Sequence, residues 1–401
     1  MWFLFVAVGL VLLTVSGLYA RRRLAQALAQ LGVGARAIRI VRWVSGWFLW
    51  AYPVLVIVAI TASLLLGRAT LPRFDGLAAS LLLGLPFILT VLIVLQSVPW
   101  LIAIDVVHLV VRRRRGAASA ARMRGLAGIV VIGAFTLYTP IRILAQRGEV
   151  RMRHFAVGTP GSQARPLRIA FLADVQQDVH TDADRAREVY ARVNAEQPDL
   201  VLSGGDWINA GPDYIESAAA AAATLKSRLG TFSVRGDHEH FAYVDRDRSA
   251  SEVEHAMRAH GVAMLNNEVR WFEHDGKRIG VLFLNNNYIV HTAAAQVTAL
   301  VAELATADYA IVVTHQLDAK LAALLEDKVD LVLGAHTHGG QVNPVVGLTH
   351  VKLARLETEF IDGRYALGKR TTVIVTSGIG YSLVPIRYAS PGSIEIIELR
   401  P

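Results

Sequence analysis

The chain has 401 residues, 53% of them hydrophobic, and a mean hydropathy of +0.39, which is too apolar for an ordinary soluble enzyme. Its charge is divided: residues 1–153 carry 18 arginines against three acidic residues, a net +15, and the remainder carries −7. The overall +8 therefore reflects arginines around membrane segments, and we expect no nucleic acid partner. The absence of cysteine excludes disulfides, thiolate zinc sites and a cysteine nucleophile.

Four apolar stretches predict about four transmembrane helices within residues 1–150. They cover residues 2–18, 43–66, 77–111 and 126–144. Three are close to the ~20 residues that cross a ~30 Å hydrocarbon core, and the third is longer, with Pro86 and Pro99 as points where it can kink or end. The first stretch lacks the basic start of a signal peptide and runs into Arg21, so we expect a retained helix. Asp105 and His108, near the end of the third stretch, are attributed to a helix leaving the bilayer.

Arginine counts predict the orientation of these helices. The first connection carries Arg21, Arg22, Arg23, Arg36, Arg39 and Arg42, the third carries Arg112, Arg113, Arg114, Arg115, Arg122 and Arg124, and the second has only Arg68 and Arg73. Because arginine is enriched in cytoplasmic loops, the first and third connections are predicted to be cytoplasmic. This predicts a multi-pass protein of a bacterial-type inner membrane with residues 160–401 on its outer face. If the fourth stretch is re-entrant, as Pro140 and Arg142 allow, residues 160–401 face the cytoplasm instead.

After a predicted linker at residues 158–166, apolar runs alternate with alanine-rich helical windows. We predict helices at residues 184–196, 214–227, 251–260, 293–305 and 317–326, and strands at residues 169–172, 200–202, 231–234, 270–272, 278–284, 309–313, 329–333, 371–376 and 393–399. Alternation followed by a strand-rich end indicates an α/β domain in which two sheets pack face to face with helices outside.

Five short polar segments follow apolar runs in this half of the chain. They are Asp174-Val175-Gln176, Gly205-Asp206, Gly236-Asp237-His238-Glu239, Thr314-His315 and Gly334-Ala335-His336-Thr337-His338-Gly339-Gly340. Strands that end in Asp, His and glycine-rich turns place polar side chains at one edge of a sheet. Three carboxylates and three imidazoles meeting there form a costly cluster unless metal ions neutralise it. The pattern therefore predicts a site for two metal ions.

In order and spacing, these segments resemble the calcineurin-like metallophosphoesterase superfamily, whose pattern is Asp-x-His, Gly-Asp, Gly-Asn-His-Asp/Glu, a lone His after a strand, and Gly-His-x-His. The resemblance covers roughly residues 166–401. The segments Gly339-Gly340-Gln341 and Ser377-Gly378-Ile379-Gly380, with Pro385-Ile386-Arg387, resemble the membrane-associated bacterial branch of that superfamily. The resemblance implies a four-layer β-sandwich flanked by helices at residues 160–401, preceded by the transmembrane region at residues 1–150.

The resemblance also implies which residues hold two divalent metal ions. One ion would be held by Asp174, Gln176, Asp206 and His338, and the other by Asp206, Asp237, His315 and His336. The shared carboxylate of Asp206 would keep the ions ~3.5–4 Å apart, with a hydroxide between them that attacks phosphorus. His238 would be the catalytic residue that donates a proton or a charge-assisted hydrogen bond to the leaving oxygen. Manganese is the expected metal, with magnesium, iron and zinc as alternatives.

Three residues depart from the family pattern. Gln176 replaces a His, and its amide oxygen moves that site towards Mn²⁺ or Mg²⁺ and away from Zn²⁺. Asp237 replaces an Asn, and the added negative charge predicts tighter metal binding and a weaker pull on an anionic phosphate. Asn209 stands where many relatives have an Asp, so it can orient His238 by hydrogen bonding but cannot favour its imidazolium form.

The sequence is consistent with two classes of function. The first is a membrane-anchored, metal-dependent hydrolase of phosphoester or pyrophosphate bonds, with the bilayer and a phosphorylated or lipid-linked substrate as partners. The second is a non-catalytic, degenerate phosphoesterase domain that binds phosphorylated ligands or organises membrane partners. A transporter is disfavoured because four spans with few intramembrane charges offer little for a translocation path.

Overall fold

The computed structural model describes residues 2–65, 80–158, 165–382 and 384–401, without the side chains of residues 2–7, 63, 64, 80 and 115. The chain divides into two compact units. The helical unit comprises Met1–Ala145 and Pro344–Val351, and the sheet unit comprises Gln146–Asn343 and Lys352–Pro401. Arg68 and Arg73 of the second predicted connection, and residues 159–164 of the predicted linker, lie outside the described residues.

Long apolar helices make up most of the helical unit, as the apolar stretches predict. They are α1 (Trp2–Gln30), α2 (Ala35–Leu65), α3 (Leu85–Arg115) and α4 (Ala117–Gln146), and a π-helical turn, Ser80–Gly84, leads into α3. In the described part of the chain, three segments are long and apolar enough to cross a membrane: Ala35–Ala62, Leu81–Arg114 and Ala117–Gln146. A fourth span at α1 stays a prediction. Pro86 lies in the first turn of α3 and Pro99 inside it, and neither proline ends that helix.

Asp105 of α3 connects three of these helices. Its carboxylate accepts hydrogen bonds from two nitrogens of Arg124 in α4 and from the hydroxyl of Tyr19 in α1, each at 2.8 Å. Nη2 of the buried Arg23 lies 2.9 Å from the same carboxylate. Because an unpaired charge is costly inside a helix bundle, Asp105 neutralises arginines there, a structural role that the sequence interpretation did not assign to it.

Two six-stranded sheets form the centre of the sheet unit. The strands in chain order are β1 (Val150–Gly158), β2 (Leu167–Leu172), β3 (Leu200–Ser203), β4 (Thr231–Ser233), β5 (Val262–Met264), β6 (Glu268–His274), β7 (Lys277–Leu284), β8 (Tyr309–Thr314), β9 (Leu331–Gly334), β10 (Val345–Val346), β11 (Thr349–His350), β12 (Gly363–Leu367), β13 (Thr371–Val375) and β14 (Gly392–Arg400). The sheet orders are β1-β14-β2-β3-β4-β5 and β12-β13-β9-β8-β7-β6, and β10 with β11 forms a separate antiparallel pair in the helical unit. Strands β2 to β5 are parallel, as are β7, β8, β9 and β13, so within each set the carboxyl ends lie along one edge.

Apolar side chains pack the two sheets face to face. Successive residues of a strand point to opposite faces, so Ile169 and Phe171 of β2 lie between the sheets, and Ala170 and Leu172 lie under helices. The first sheet is covered by α5 (Ala183–Ala195), α6 (Ile215–Ala222) and α7 (Arg246–Ala259), and the second by α8 (Ala294–Glu303) and α9 (Ala319–Leu325). This helix–sheet–sheet–helix arrangement confirms the predicted four-layer α/β fold.

Five strands of the described residues are not predicted from the sequence: β1, β5, β10, β11 and β12. β1 precedes residue 160 and runs parallel to β14, with Val150 opposite Gly392 and Gly158 opposite Arg400. Its arginines suggested the flank of a membrane segment, but Arg153 lies 2.7 Å from the buried carboxylate of Glu395 in β14. The alternation of charged and apolar residues in β1 is therefore that of a strand whose charges are paired within the sheet unit.

Candidate metal centre

The predicted ligands lie at the carboxyl ends of parallel strands in both sheets. β2, β3 and β4 are followed by Asp174, Gln176, Asp206, Asp237 and His238, and β8 and β9 are followed by His315, His336 and His338. Five of these eight residues have a positive φ, from 45° at Gln176 to 74° at His336. Non-glycine residues in this left-handed region are strained and concentrate at functional sites. The turns at this edge therefore have an unfavourable backbone conformation, and in this conformation the side chains of the predicted ligands lie close to one another.

Asp237, His315 and His336 form one group with metal-ligand spacing. Nδ1 of His336 lies 2.9 Å from Oδ2 of Asp237 and 3.2 Å from Nε2 of His315. Nε2 of His315 lies 3.3 Å from the same Asp237 oxygen. One ligand atom from each of the three residues falls within 4.8 Å of the others. These residues are three of the four that the family resemblance assigns to the second ion.

Asp174, Asp206 and His315 form a second group with the same spacing. Oδ2 of Asp206 lies 3.5 Å from Nε2 of His315, so the predicted bridging carboxylate is next to both groups. Gln176 also contacts this carboxylate, since its amide nitrogen donates to Oδ2 of Asp206 at 3.2 Å. His338 is outside both of these groups of described residues, and its assignment to the first ion stays a prediction.

A backbone carbonyl fixes the orientation of the His315 ring. Its Nδ1 donates to the carbonyl of Gly204 at 2.7 Å, which leaves Nε2 facing Asp206 and Asp237. Gly236 permits this close packing, because a Cβ at that position would lie 2.2 Å from Oδ1 of Asp206 and 2.8 Å from the His315 ring. A side chain at residue 236 would therefore displace a predicted ligand.

Two predicted ligands have buried polar atoms without a hydrogen-bond partner among the described residues: Oε1 of Gln176 and Nδ1 of His338. Buried polar atoms are nearly always hydrogen-bonded, so such atoms need an explanation. Burial, reinforced by the positive charge of Arg387, lowers the pKa of His338 well below its usual value, and the neutral ring keeps a free lone pair. An amide oxygen and a neutral imidazole are metal donors, so both residues fit a divalent cation.

The carboxylates at this edge raise the pKa values of two imidazoles, those of His315 and His336, so that imidazole protons offset part of the negative charge. Burial alone would lower the pKa of His315, but the charges of Asp206 and Asp237 raise it well above its usual value. Burial likewise opposes protonation of His336, yet hydrogen bonds to Asp237 and Glu357 raise its pKa to about 9. For Asp174, burial is the main cause that raises the pKa to about 6. A divalent cation would replace the imidazole protons as the positive charge of the site.

Metal affinity should therefore rise with pH across the neutral range. His336, with a pKa of about 9, must lose its proton before its nitrogen can bind a cation. Anaerobic calorimetric titration with Mn²⁺ from pH 6.5 to pH 8.5 should show tighter binding at higher pH. Repeating the titration in buffers of different ionisation enthalpy should show net proton release. Binding without proton release and without pH dependence would contradict this ligand assignment.

His238 lies beside these groups in a fixed orientation. Its backbone N–H donates to Oδ1 of Asp206 at 2.8 Å, and its Nε2 is 4.0 Å from the other Asp206 oxygen. Its Nδ1 donates to the backbone carbonyl of Asn209. The Asn209 side chain instead donates to Asp178 at 2.7 Å. Asn209 therefore orients His238, as its position predicts, but through its main chain, which explains how an Asn can occupy this place.

Glu239 connects the turn that carries Asp206 with the turn that carries Asp237. Its buried carboxylate accepts the backbone N–H groups of Asp206 at 3.0 Å, Trp207 at 2.7 Å and Gly236 at 2.6 Å. Burial, together with the nearby charge of Asp206, raises the pKa of Glu239 to about 7. Glu239 therefore shapes the turns that carry Asp206 and Asp237.

Glu357 contacts a predicted ligand and was missed by the sequence analysis. Its Oε1 lies 3.0 Å from Nε2 of His336 and accepts a hydrogen bond from Gln316 at 2.6 Å. Glu357 directly follows the 3₁₀ turn Leu353–Leu356 and not a strand, so the strand-end pattern could not identify it. A carboxylate on the second ring nitrogen of a ligating His orients the ring and raises its basicity.

Replacing Glu357 with Gln should weaken metal binding about 10- to 100-fold, because His336 loses its charged partner. The matched control is Glu359→Gln, which removes an exposed carboxylate two residues away. Both proteins would be titrated with Mn²⁺ at constant pH. Equal affinities for the two variants would show that Glu357 does not support His336.

Comparison with known proteins agrees with this geometry. The model of the calcineurin-like phosphoesterase family matches residues 167–340. That part of the chain is a calcineurin-like phosphoesterase domain, as the resemblance predicts, and this family is built around divalent metal ions.

Similar curated proteins are named as metallophosphoesterases or as containing a metallophosphoesterase domain. An uncharacterized metallophosphoesterase of Campylobacter jejuni is 27% identical over 274 residues, 68% of each chain. Another, from Helicobacter pylori strain J99, is 27% identical over 243 residues, 59% of this chain and 60% of its own. A zebrafish transmembrane protein with metallophosphoesterase domain is 28% identical over 242 residues, 58% of this chain and 53% of its own. The chain thus spans about half to two thirds of the length of these relatives.

Proposed function

We propose that this protein is a membrane-anchored, dinuclear metal-dependent phosphohydrolase that cleaves a phosphoester or pyrophosphate bond. The proposal rests on two adjacent groups of possible metal ligands at the carboxyl ends of strands in both sheets. The groups contain Asp174, Asp206, Asp237, His315 and His336. The unpartnered, buried Oε1 of Gln176 and Nδ1 of His338 support it, because metal coordination would satisfy both atoms.

The chain's own residues hold and orient the reacting groups. Two bound divalent cations would lower the pKa of a water molecule to make a nucleophile at neutral pH and would offset the charge of the phosphate. We assign Asp206 to both cations, and this is supported by its contacts, since one of its oxygens accepts the His238 amide and the other faces His315. The Asn209 carbonyl accepts the Nδ1 proton of His238, so Nε2 is the nitrogen that faces the reacting groups, and in the imidazolium form it would donate its proton to the leaving oxygen.

The membrane helices support a substrate presented at a bilayer. Three helices of the helical unit are long and apolar enough to span a membrane, and the zebrafish relative is named as a transmembrane protein. We therefore propose a phosphorylated, lipid-linked or envelope-derived substrate, and Mn²⁺ as the metal because of the amide oxygen of Gln176. The arginine distribution supports an inner-membrane location with the sheet unit on the outer face.

The proposal is tested with the full chain purified in detergent and freed of metal by a chelator. We expect hydrolysis of bis(p-nitrophenyl) phosphate or of a diphosphate ester after addition of Mn²⁺, with less activity in Mg²⁺ and Zn²⁺. Phosphate release from a diphosphate-linked lipid in mixed micelles would test the substrate class. A protein that binds two Mn²⁺ ions and hydrolyses none of these compounds would favour the non-catalytic, phospho-ligand-binding alternative.

A further inference from the structure

A groove in the helical unit has a composition that the phosphohydrolase does not explain. A cavity of about 440 Å³ lies between α1 and α2, lined by Arg21, Ala35, Ile38, Arg39, Arg42 and Trp43. A second cavity of about 370 Å³ adjoins it, shares Arg21, Arg42 and Trp43, and continues along Gly46, Trp47, Trp50, Ala51 and Val54. The two cavities form one groove, which we call the α1/α2 groove.

The groove changes from basic to aromatic to aliphatic along one face of α2. Its lining residues recur every three or four positions from Arg39 to Val54, which is the spacing of one helix face. At 1.5 Å per residue this face is roughly 22 Å long, close to the ~20 Å thickness of one membrane leaflet with its headgroups. A phospholipid presents its phosphate, glycerol esters and acyl chains in the same order.

In the described part of the chain, no carboxylate neutralises the arginines of the groove. The first acidic residue of the sequence is Asp75, so neither α1 nor α2 carries one. Arg21 donates to the hydroxyl of Ser45 at 3.2 Å and to the carbonyl of Arg42, and both of these acceptors are uncharged. By contrast, Arg23 on the same helix is paired with Asp105. Among the described residues, Arg21, Arg39 and Arg42 form no ion pair within 4.0 Å, so the groove attracts an anion.

Tryptophans place the basic end of the groove at a membrane surface. The rings of Trp43 and Trp47 stack with centroids 6.2 Å apart, and the residues are 69% and 48% exposed. Exposed tryptophans on a membrane helix favour the headgroup level of a bilayer. Gly46 lets the Arg21 guanidinium approach α2, because a Cβ there would lie 2.7 Å from its Nη2. An arginine is thereby held next to the indole rings at headgroup depth.

We propose that the α1/α2 groove binds one anionic phospholipid from the bilayer. Its phosphate contacts Arg21, Arg39 and Arg42, since guanidinium groups bind phosphate oxygens with paired hydrogen bonds. Its glycerol region lies on Trp43 and Trp47, and an acyl chain follows Ala51 and Val54. The first connection, which contributes these arginines, is predicted to be cytoplasmic, where anionic lipids are available.

The test uses the delipidated full chain in detergent, with lipid binding followed by native mass spectrometry. Phosphatidylglycerol should bind at least about 10-fold more tightly than phosphatidylcholine, and glycerol phosphate should not compete at the same concentration. The double variant Arg39→Gln/Arg42→Gln should weaken phosphatidylglycerol binding about 30-fold. Arg22→Gln/Arg113→Gln is the charge-matched control, because both of these exposed arginines lie outside the groove lining.

The same experiment contains the results that would overturn the proposal. They are an equal loss of binding in the control variant, equal affinity for the two lipids, or displacement of the lipid by glycerol phosphate alone. If the arginine variant fails to fold, Ala51→Trp provides a second route, because it fills the acyl part of the groove and keeps every arginine. Unchanged phosphatidylglycerol affinity in folded Ala51→Trp would also contradict the proposal.

Discussion

Replacing Asp206 with Asn should reduce phosphodiester hydrolysis by about 10³-fold or more and should prevent the protein from holding two metal ions together. The reason is the position of this carboxylate, which lies 3.5 Å from Nε2 of His315 and accepts a hydrogen bond from Gln176 on the same oxygen. An Asn retains the shape and one acceptor oxygen, but it has no negative charge to share between two cations. Activity and metal content, measured together on the purified full chain, check this expectation.

The matched control is Asp213→Asn, which removes an exposed carboxylate seven residues further along the chain. It should leave activity and metal content within about twofold of the unaltered protein, as surface substitutions usually do. Circular dichroism of both variants would show that the fold is retained. Two bound metal ions in folded Asp206→Asn would rule out this residue as the bridging ligand.

Replacing His238 with Ala should lower kcat by about 10²- to 10⁴-fold and leave both metal ions bound. Nε2 of His238 is 4.0 Å from Asp206, while Nδ1 is held by the Asn209 carbonyl, so the side chain is beside the predicted ligands without being one of them. A proton donor matters most when the leaving group is a strong base. The loss of kcat should therefore be larger for an alkyl phosphodiester than for a p-nitrophenyl ester.

His255→Ala is the control for this prediction, because His255 is exposed on α7. Its kcat and metal content should equal those of the unaltered protein. The leaving-group comparison separates proton donation from a purely structural effect, which would slow both substrates equally. Equal losses for the two substrates, or loss of metal together with activity, would contradict the proposed role of His238.

The parts of the fold that could be predicted are those where local pattern and tertiary position agree. β2 and β8 are apolar runs buried on both faces, and Asp174 and His315 lie within two residues of their ends, so both the strand and its functional end are visible in the sequence. Parallel pairing then brings the carboxyl ends together within each sheet, and the packing of the two sheets brings the two sets of ends together. The family motif and the helix–sheet–sheet–helix layers follow from the same runs.

The parts that could not be predicted depend on partners distant in the chain. β1 alternates arginines with apolar residues beside a membrane helix, and only its pairing with β14 shows that Arg153 belongs against Glu395. In the sequence, Glu357 has no feature that distinguishes it from a surface glutamate in a turn. Only the structure shows that its carboxylate lies 3.0 Å from Nε2 of His336. For Asn209, the side-chain identity was misleading, since the main-chain carbonyl makes the contact with His238.

Anomalous diffraction can show whether two cations share Asp206 at this edge of the sheets. Crystals of the full chain equilibrated with Mn²⁺ would be measured on both sides of the manganese absorption edge. We expect two anomalous peaks about 3.5–4 Å apart, on either side of the Asp206 carboxylate. A single peak, or two peaks that do not both lie within bonding distance of Asp206, would contradict a shared dinuclear centre.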